Sequence, residues 1–203
     1  MSWQEFTALF VFCTAMSFSP GPNTTLSTAL AANYGLRRAM PFVCAVPAGW
    51  GLLLTVCAFG LGSVVLAVPL LGLAVKGVGV GYLLWLACKL AQRRTAGPAG
   101  INRANVTFWQ GAALQFVNIK AWMLALAIVS GWIAGRPDPG LRFAVVLPVM
   151  LVYAFASNLT YALAGSLLRG WLAGPEGSGQ RLLVFNRVMA LVLVGTALWI
   201  LVL

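Results

Sequence analysis

Ser19-Pro20-Gly21-Pro22-Asn23-Thr24-Thr25 interrupts an apolar run that otherwise extends from about residue 6 to residue 32. Two prolines around a glycine cannot sit in an undisturbed helix, because each proline removes a backbone donor and clashes with the preceding turn. The flanks are apolar over a length that suits a bilayer, where about 20 residues cross the hydrocarbon core. In lipid no water satisfies the freed carbonyls, so a broken helix is tolerated only when buried in protein or lining a cavity. The stretch therefore predicts a membrane-embedded helix whose break faces the protein interior.

Composition agrees. Of the 203 residues, 61% are hydrophobic and 8% charged, against about 25% charged in soluble domains. A soluble fold of this length has too few charges to cover its surface, whereas lipid-facing positions should be apolar. The net charge of +10 does not point to nucleic acid, because the basic residues stand singly or in pairs between apolar runs, as topology signals do. With no histidine, bis-His haem, His-ligated metal and His general bases are excluded. Cys13, Cys44, Cys57 and Cys88 form no CxxC pair and lie in apolar runs, where cysteine serves as a small hydrophobe. Met1 to Ser19 carries no basic residue, so the first segment reads as a retained helix rather than a cleaved signal.

Charges and turn residues divide the chain into six apolar segments, at about 6–32, 40–63, 66–91, 107–134, 141–168 and 182–203. Pro69 to Lys76 reads as a tight turn, Gln92 to Asn105 as a polar cytoplasmic loop, Gly135 to Gly140 as a breaker cluster and Arg169 to Arg181 as a loop. The whole chain, 1–203, is one transmembrane domain. With the N-terminus outside, nine basic residues between Arg37 and Arg187 fall inside and three, Lys76, Arg136 and Arg142, fall outside. This bias places both termini on the periplasmic side of a multi-pass bacterial inner-membrane protein. Gly35-Leu36-Arg37-Arg38-Ala39 ahead of the second segment resembles Gly140-Leu141-Arg142-Phe143-Ala144 ahead of the fifth, and Phe18 to Asn23 stands roughly where Phe116 to Lys120 stands. The expected fold is all-α, six transmembrane helices in two three-helix repeats, about 1–95 and 106–203. Three spans per repeat is an odd number, so the second repeat is inverted, a transporter signature with the substrate at the repeat interface.

Few polar residues interrupt the spans, and these are the candidate substrate-binding residues. Pro20, Gly21 and Pro22 break the first span, and the half-helix after Pro22 presents free N–H groups and a partial positive charge suited to a carboxylate. Asn23 and Thr24 add side-chain donors and acceptors. In Gln115-Phe116-Val117-Asn118-Ile119-Lys120-Ala121-Trp122, Lys120 falls near mid-span, where a charge marks a functional site by default. Its partner is a helix C-terminus, backbone carbonyls or a substrate carboxylate. With no acid inside any span, Lys120 is also the candidate proton-coupling group. Asn118 and Asn158 complete the set, and Asn158 reads equally well as interhelical glue. Gly77-x-x-x-Gly81 and Gly131-x-x-x-Gly135 read as close-packing motifs, within one chain or between two copies in a homodimer.

Ser19-Pro20-Gly21-Pro22-Asn23-Thr24, the third span ending Tyr82-Leu83-Leu84-Trp85-Leu86-Ala87-Cys88-Lys89, and Gln115 to Ala121 together resemble the LysE/RhtB amino-acid exporters over the whole chain. Ile119 stands where that family usually has proline. Gln-Phe-Val-Asn-x-Lys, with Asn158 and Ala162-Leu163-Ala164-Gly165 downstream, is similar to the cysteine/O-acetylserine exporter branch. The resemblance implies proton-driven efflux of a small amino acid, neutral or with a sulfur or hydroxyl side chain, from a bacterial cytoplasm. It implies no enzyme activity, cofactor or metal; the partners are the amino acid, lipid and protons. Two other readings remain from the residues alone: a membrane thiol oxidoreductase using the cysteines, and an assembly subunit whose polar span residues only hold helices together.

Overall fold

A computed structural model describes residues 1–60, 68–92, 106–174 and 179–202, and every regular element among them is helical. Helix α1, Trp3–Phe18, starts at a capping box in which the Ser2 hydroxyl accepts from the Glu5 N–H and the Glu5 carboxylate accepts from the Ser2 N–H. It ends where Ser19, ahead of Pro20, turns extended, as a residue before proline must. Helix α2, Pro22–Tyr34, starts with proline at its first position, where the missing N–H costs nothing. Gly35, at φ +86°, separates it from α3, Leu36–Ala58. Then come α4, Pro69–Ala91, and the pair α5, Phe108–Val117, and α6, Ile119–Ile128, the latter continuing as a π-helical turn over Val129–Ile133. The last two are α7, Pro139–Ala173, and α8, Gln180–Val202.

Helices α3, α4, α7 and α8 are each long and apolar enough to cross a membrane, and the α5–α6 pair, bent by 69°, makes a fifth candidate span. The sixth expected span falls on α1 and α2, of 16 and 13 residues, each too short alone for the ~20 that a crossing needs. In the most apolar windows of α7 and α8 only 22% and 28% of residues are buried, against 56% in α3. Val152, Leu167, Val184, Leu191 and Val202 accordingly stand exposed. A continuous apolar exterior of this kind suits lipid and not water.

Two segment boundaries differ from expectation. Pro69 to Lys76 is not a turn but the first two turns of α4; its proline is a helix starter rather than a breaker. Arg169 is not in a loop, because α7 runs on through Ala173. Arginine is a good helix former, and its charge marks the end of the apolar stretch, not of the helix. At 35 residues, α7 is about 52 Å long, well beyond the ~30 Å hydrocarbon core. The expected cytoplasmic loop, with Arg93, Arg94 and Arg103, lies outside the described residues apart from Gln92.

The packing is tightest where α2 lies along α7, α4 along α8, and α3 between α7 and α5. Two of these contacts need glycine. A Cβ on Gly165 of α7 would overlap the Thr28 carbonyl oxygen of α2, and one on Gly49 of α3 would overlap the Ala112 carbonyl oxygen of α5. The glycine pairs singled out from spacing do not do this: a Cβ added at Gly77, Gly81, Gly131 or Gly135 would meet no other segment within 4 Å.

At the start of α1 the Glu5 carboxylate receives a two-pronged hydrogen bond from Arg142 at the start of α7, at 3.1 and 3.2 Å. The Trp132 indole N–H donates to the Glu5 carbonyl at 3.0 Å. The Arg142 bonds first, and the Ser2 N–H second, push the Glu5 carboxyl down from 4.5 to about 2. A depressed folded-state value means that this clamp stabilises fully above pH 4.5 and is lost as pH falls toward 2. Melting of the purified protein should therefore separate wild type from Glu5→Gln above about pH 5, and the two curves should converge below it. A gap independent of pH over that range would remove the carboxylate from the clamp.

Candidate substrate site

Both helix breaks leave carbonyls without helical partners, and side chains from elsewhere in the chain satisfy them. The Lys120 ammonium donates to the Ser19 carbonyl at 2.9 Å, the Ser19 hydroxyl at 2.8 Å and the Pro20 carbonyl at 3.3 Å. The Tyr161 hydroxyl donates to the Phe18 carbonyl at 2.8 Å. At the second break the Trp122 indole N–H donates to the Phe116 carbonyl at 2.8 Å. Lys120 thus places its charge at the negative end of α1, the favourable side of the helix dipole. Its stem lies over Gly21, where a Cβ would sit 3.1 Å from Lys120 Cδ and 3.2 Å from Nζ. A side chain at position 21 would push the ammonium away.

The second break lies at Asn118, which is extended at φ −89° and ψ 100° and both ends α5 and caps α6. The bend forms although Ile119, not proline, follows. Asn118 favours non-helical backbone because its short polar side chain competes with helix bonding.

The two breaks are tied together by amides. Asn23 Nδ2 donates to Gln115 Oε1 at 2.8 Å, and Gln115 Nε2 donates back to Asn23 Oδ1 at 3.2 Å and to the Gly111 carbonyl at 3.1 Å. Gln115 is fully buried. The Thr24 hydroxyl accepts from the Gly21 N–H at 3.0 Å and donates to the Gly21 carbonyl at 3.1 Å, closing the first turn of α2. The Ser27 hydroxyl donates to Asn158 Oδ1 at 2.8 Å, and Asn158 Nδ2 donates to the Ala154 carbonyl at 2.8 Å. Asn158 is therefore engaged in holding α2 on α7. Asn118 differs: it is 4% exposed, and its Oδ1 is buried without a hydrogen-bond partner among the described residues.

These residues surround one cavity. Gly21, Pro22, Asn23 and Thr24 from the start of α2, Asn118, Lys120 and Ala121 from the start of α6, and Ser157 and Asn158 from α7 line its polar side. Met16, Val46, Trp50, Leu124 and Met150 line the apolar side. Helix first turns have N–H groups without partners in their own helix and carry a partial positive charge. Two such turns and an ammonium border the same space, and no acidic residue lines it. About 60 Å³ is open to the centres of water molecules, room for roughly five waters at ~10–15 Å³ each. The arrangement suits a small molecule with a carboxylate at one end and a short side chain at the other.

Of the residues singled out in the sequence, Gly21, Pro22, Asn23, Thr24, Asn118, Lys120 and Asn158 all line this cavity. Pro20 does not; it borders a second cavity on the far side of Lys120, with Ser19, Met123, Val192, Thr196 and Trp199. Gln115, Ser27 and Trp50 were not singled out. A glutamine inside an apolar span was a usable signal for the first. Nothing in the pattern separates Ser27 or Trp50 from ordinary packing residues. The four cysteines are free, with Cys13 and Cys57 buried and Cys44 and Cys88 exposed, so no thiol pair is set up for redox chemistry.

Helices broken at a shared, partly polar cavity beneath an apolar exterior define a membrane translocator. The LysE type translocator model matches residues 14–203, and the chain belongs to that family. It is a transporter and not an enzyme. Among curated relatives it is similar to the cysteine/O-acetylserine efflux proteins of Klebsiella pneumoniae subsp. pneumoniae, at 26% identity, and of Escherichia coli strain K12, at 27%. Each match spans 158 residues, 77% of this chain and 80% of the relative. No solved structure matches.

Proposed function

We propose that this protein exports small, neutral amino acids with a sulfur or hydroxyl side chain, cysteine and serine among them, from a bacterial cytoplasm across the inner membrane. The observation that carries the reading is the buried, unpaired Asn118 Oδ1 between the two half-helix starts. An unpaired buried acceptor costs about 1–3 kcal/mol, and a substrate ammonium or other donor would relieve it. The carboxylate meets the first turns of α2 and α6, and Lys120 exchanges its Ser19 and Pro20 carbonyls for it. Gly21, Pro22 and Thr24 shape that turn, Pro20 fixes the break, and Asn23 and Asn158 hold it in place. The names of the curated relatives support this cargo.

Transport is coupled to protons through Lys120, as no acid lines the cavity. The chain crosses six times, with α1–α2 as one broken span and α5–α6 as its counterpart. Each half runs as a broken helix followed by two long ones, which supports two inverted repeats moving against each other with both termini periplasmic. The outward-facing Gly77 and Gly81 leave a face for a homodimer.

Efflux of radiolabelled cysteine or serine from loaded proteoliposomes tests this. Efflux should rise severalfold when the outside is made acidic and fall when a protonophore collapses the gradient. Efflux at the level of empty liposomes for every small amino acid would refute the export reading. Efflux indifferent to the gradient would refute only the coupling.

A further inference from the structure

We propose that Trp50 sets the upper size of the side chain this transporter accepts; the inference rests on the export reading above. The polar groups of the cavity lie at the end of α1, at the helix breaks and on α7, whereas Met16, Val46, Trp50, Leu124 and Met150 form most of its apolar wall. A zwitterion anchored by its charged end at Asn118 and the two half-helix starts must direct its side chain at this apolar wall.

The wall is not uniformly rigid. Methionine has three rotatable bonds and re-packs around what it meets, so Met16 and Met150 yield. An indole has two side-chain torsions and a large flat ring. Trp50 is 4% exposed and packs with Leu53, Leu54, Trp122 and Met150. Its backbone is held on both sides. A Cβ on the preceding Gly49 would overlap the Ala112 carbonyl oxygen of α5, and one on the following Gly51 would lie 2.7 Å from Leu151 Cδ2 of α7. The backbone contact at Gly49 keeps α3 from shifting toward α5 to retract the ring, and Leu151 packs close on the other side. Val46 lines the cavity one turn earlier on the same face, and branching at its Cβ leaves it little freedom to move aside. The cavity has room for only a few water-sized groups, about 60 Å³ being open to their centres, and the indole is the largest fixed group bounding it.

Counterflow in proteoliposomes, run with glycine, alanine, serine, cysteine, valine, leucine and phenylalanine, tests this. Wild type should transport the series up to cysteine and fall steeply beyond valine. Trp50→Ala should raise the leucine-to-serine ratio at least about 10-fold, since one or more methylenes in an apolar pocket discriminate by ~10- to 200-fold. Trp50→Leu, which keeps an apolar side chain against Leu53 and Leu54, should raise it by a smaller factor, and Trp50→Phe least of all. A ratio unchanged in Trp50→Leu and Trp50→Ala, with serine still carried, would overturn the role of Trp50 and leave the export reading standing. A wild type that carries none of the series would overturn the export reading, and this inference with it.

Discussion

Lys120→Met is expected to lower amino-acid export by about 10- to 100-fold. The methionine keeps much of the stem that lies over Gly21 but removes three charge-assisted hydrogen bonds, to the Ser19 carbonyl, the Ser19 hydroxyl and the Pro20 carbonyl. Hydrogen bonds to charged groups contribute roughly 1.5–3 kcal/mol, and each 1.4 kcal/mol is a factor of about ten. Two effects add. The carbonyls at the end of α1 lose their charged partner, so the break itself loosens. The substrate carboxylate loses its counter-charge. Lys120→Arg separates charge from shape. It restores the positive charge, but a planar, forked guanidinium does not reproduce the point-like ammonium that reaches the Ser19 carbonyl, the Ser19 hydroxyl and the Pro20 carbonyl together. Export should therefore recover only in part. Initial rates in proteoliposomes at equal protein density give the comparison. Full activity in Lys120→Met would remove the lysine from the transport cycle.

Gly165→Ala is expected to be among the most damaging single methyl groups in the fold. Alanine in a helix interior gains about 0.8–1 kcal/mol over glycine by propensity alone. At Gly165 that gain is overwhelmed, because the new Cβ would overlap the Thr28 carbonyl oxygen and both partners are helix backbone that cannot rotate away. Overpacking costs typically ~1–3 kcal/mol where side chains can adjust, and backbone adjusts less. Pushing α2 off α7 also stretches the Ser27–Asn158 hydrogen bond of 2.8 Å. Gly77→Ala and Gly81→Ala meet no other segment within 4 Å and should leave thermal stability unchanged or slightly raised. Melting of the three variants in detergent should give opposite signs. Equal effects at all three positions would deny that the α2–α7 contact depends on Gly165.

These glycines show where sequence reading stops. The membrane character and the first helix break were readable from Pro20, Gly21 and Pro22, and Asn118 and Lys120 stood out because lipid makes every polar exception conspicuous; the break at Asn118 was not announced, because Ile119 stands where a proline would have marked it. The four glycines of Gly77-x-x-x-Gly81 and Gly131-x-x-x-Gly135 followed a known spacing yet meet no neighbour, whereas Gly165, Gly49 and Gly79 carry close backbone contacts. Whether a glycine is needed depends on a backbone from a distant segment, which spacing within one helix does not encode. The same holds at the site. Asn118, Asn158 and Asn23 looked alike as polar residues in apolar spans. Only the fold distinguishes Asn158, paired with Ser27, and Asn23, paired with Gln115, from Asn118, whose Oδ1 is unpaired. The extent of α7 past Arg169 was hidden for another reason: charge reports where apolar surface ends, and a helix can continue beyond it.

The central claim is that a small amino acid is held by its carboxylate between the starts of α2 and α6, with Asn118 and Lys120 beside it. The most direct measurement is competition for radiolabelled serine bound to purified protein by serine, by serinamide, which lacks the carboxylate, and by N-acetylserine, which lacks the ammonium. The account predicts that serine competes, that both analogues compete at least about 10-fold more weakly, and that Asn118→Ala lessens the penalty for N-acetylation. Serinamide competing as well as serine would contradict it.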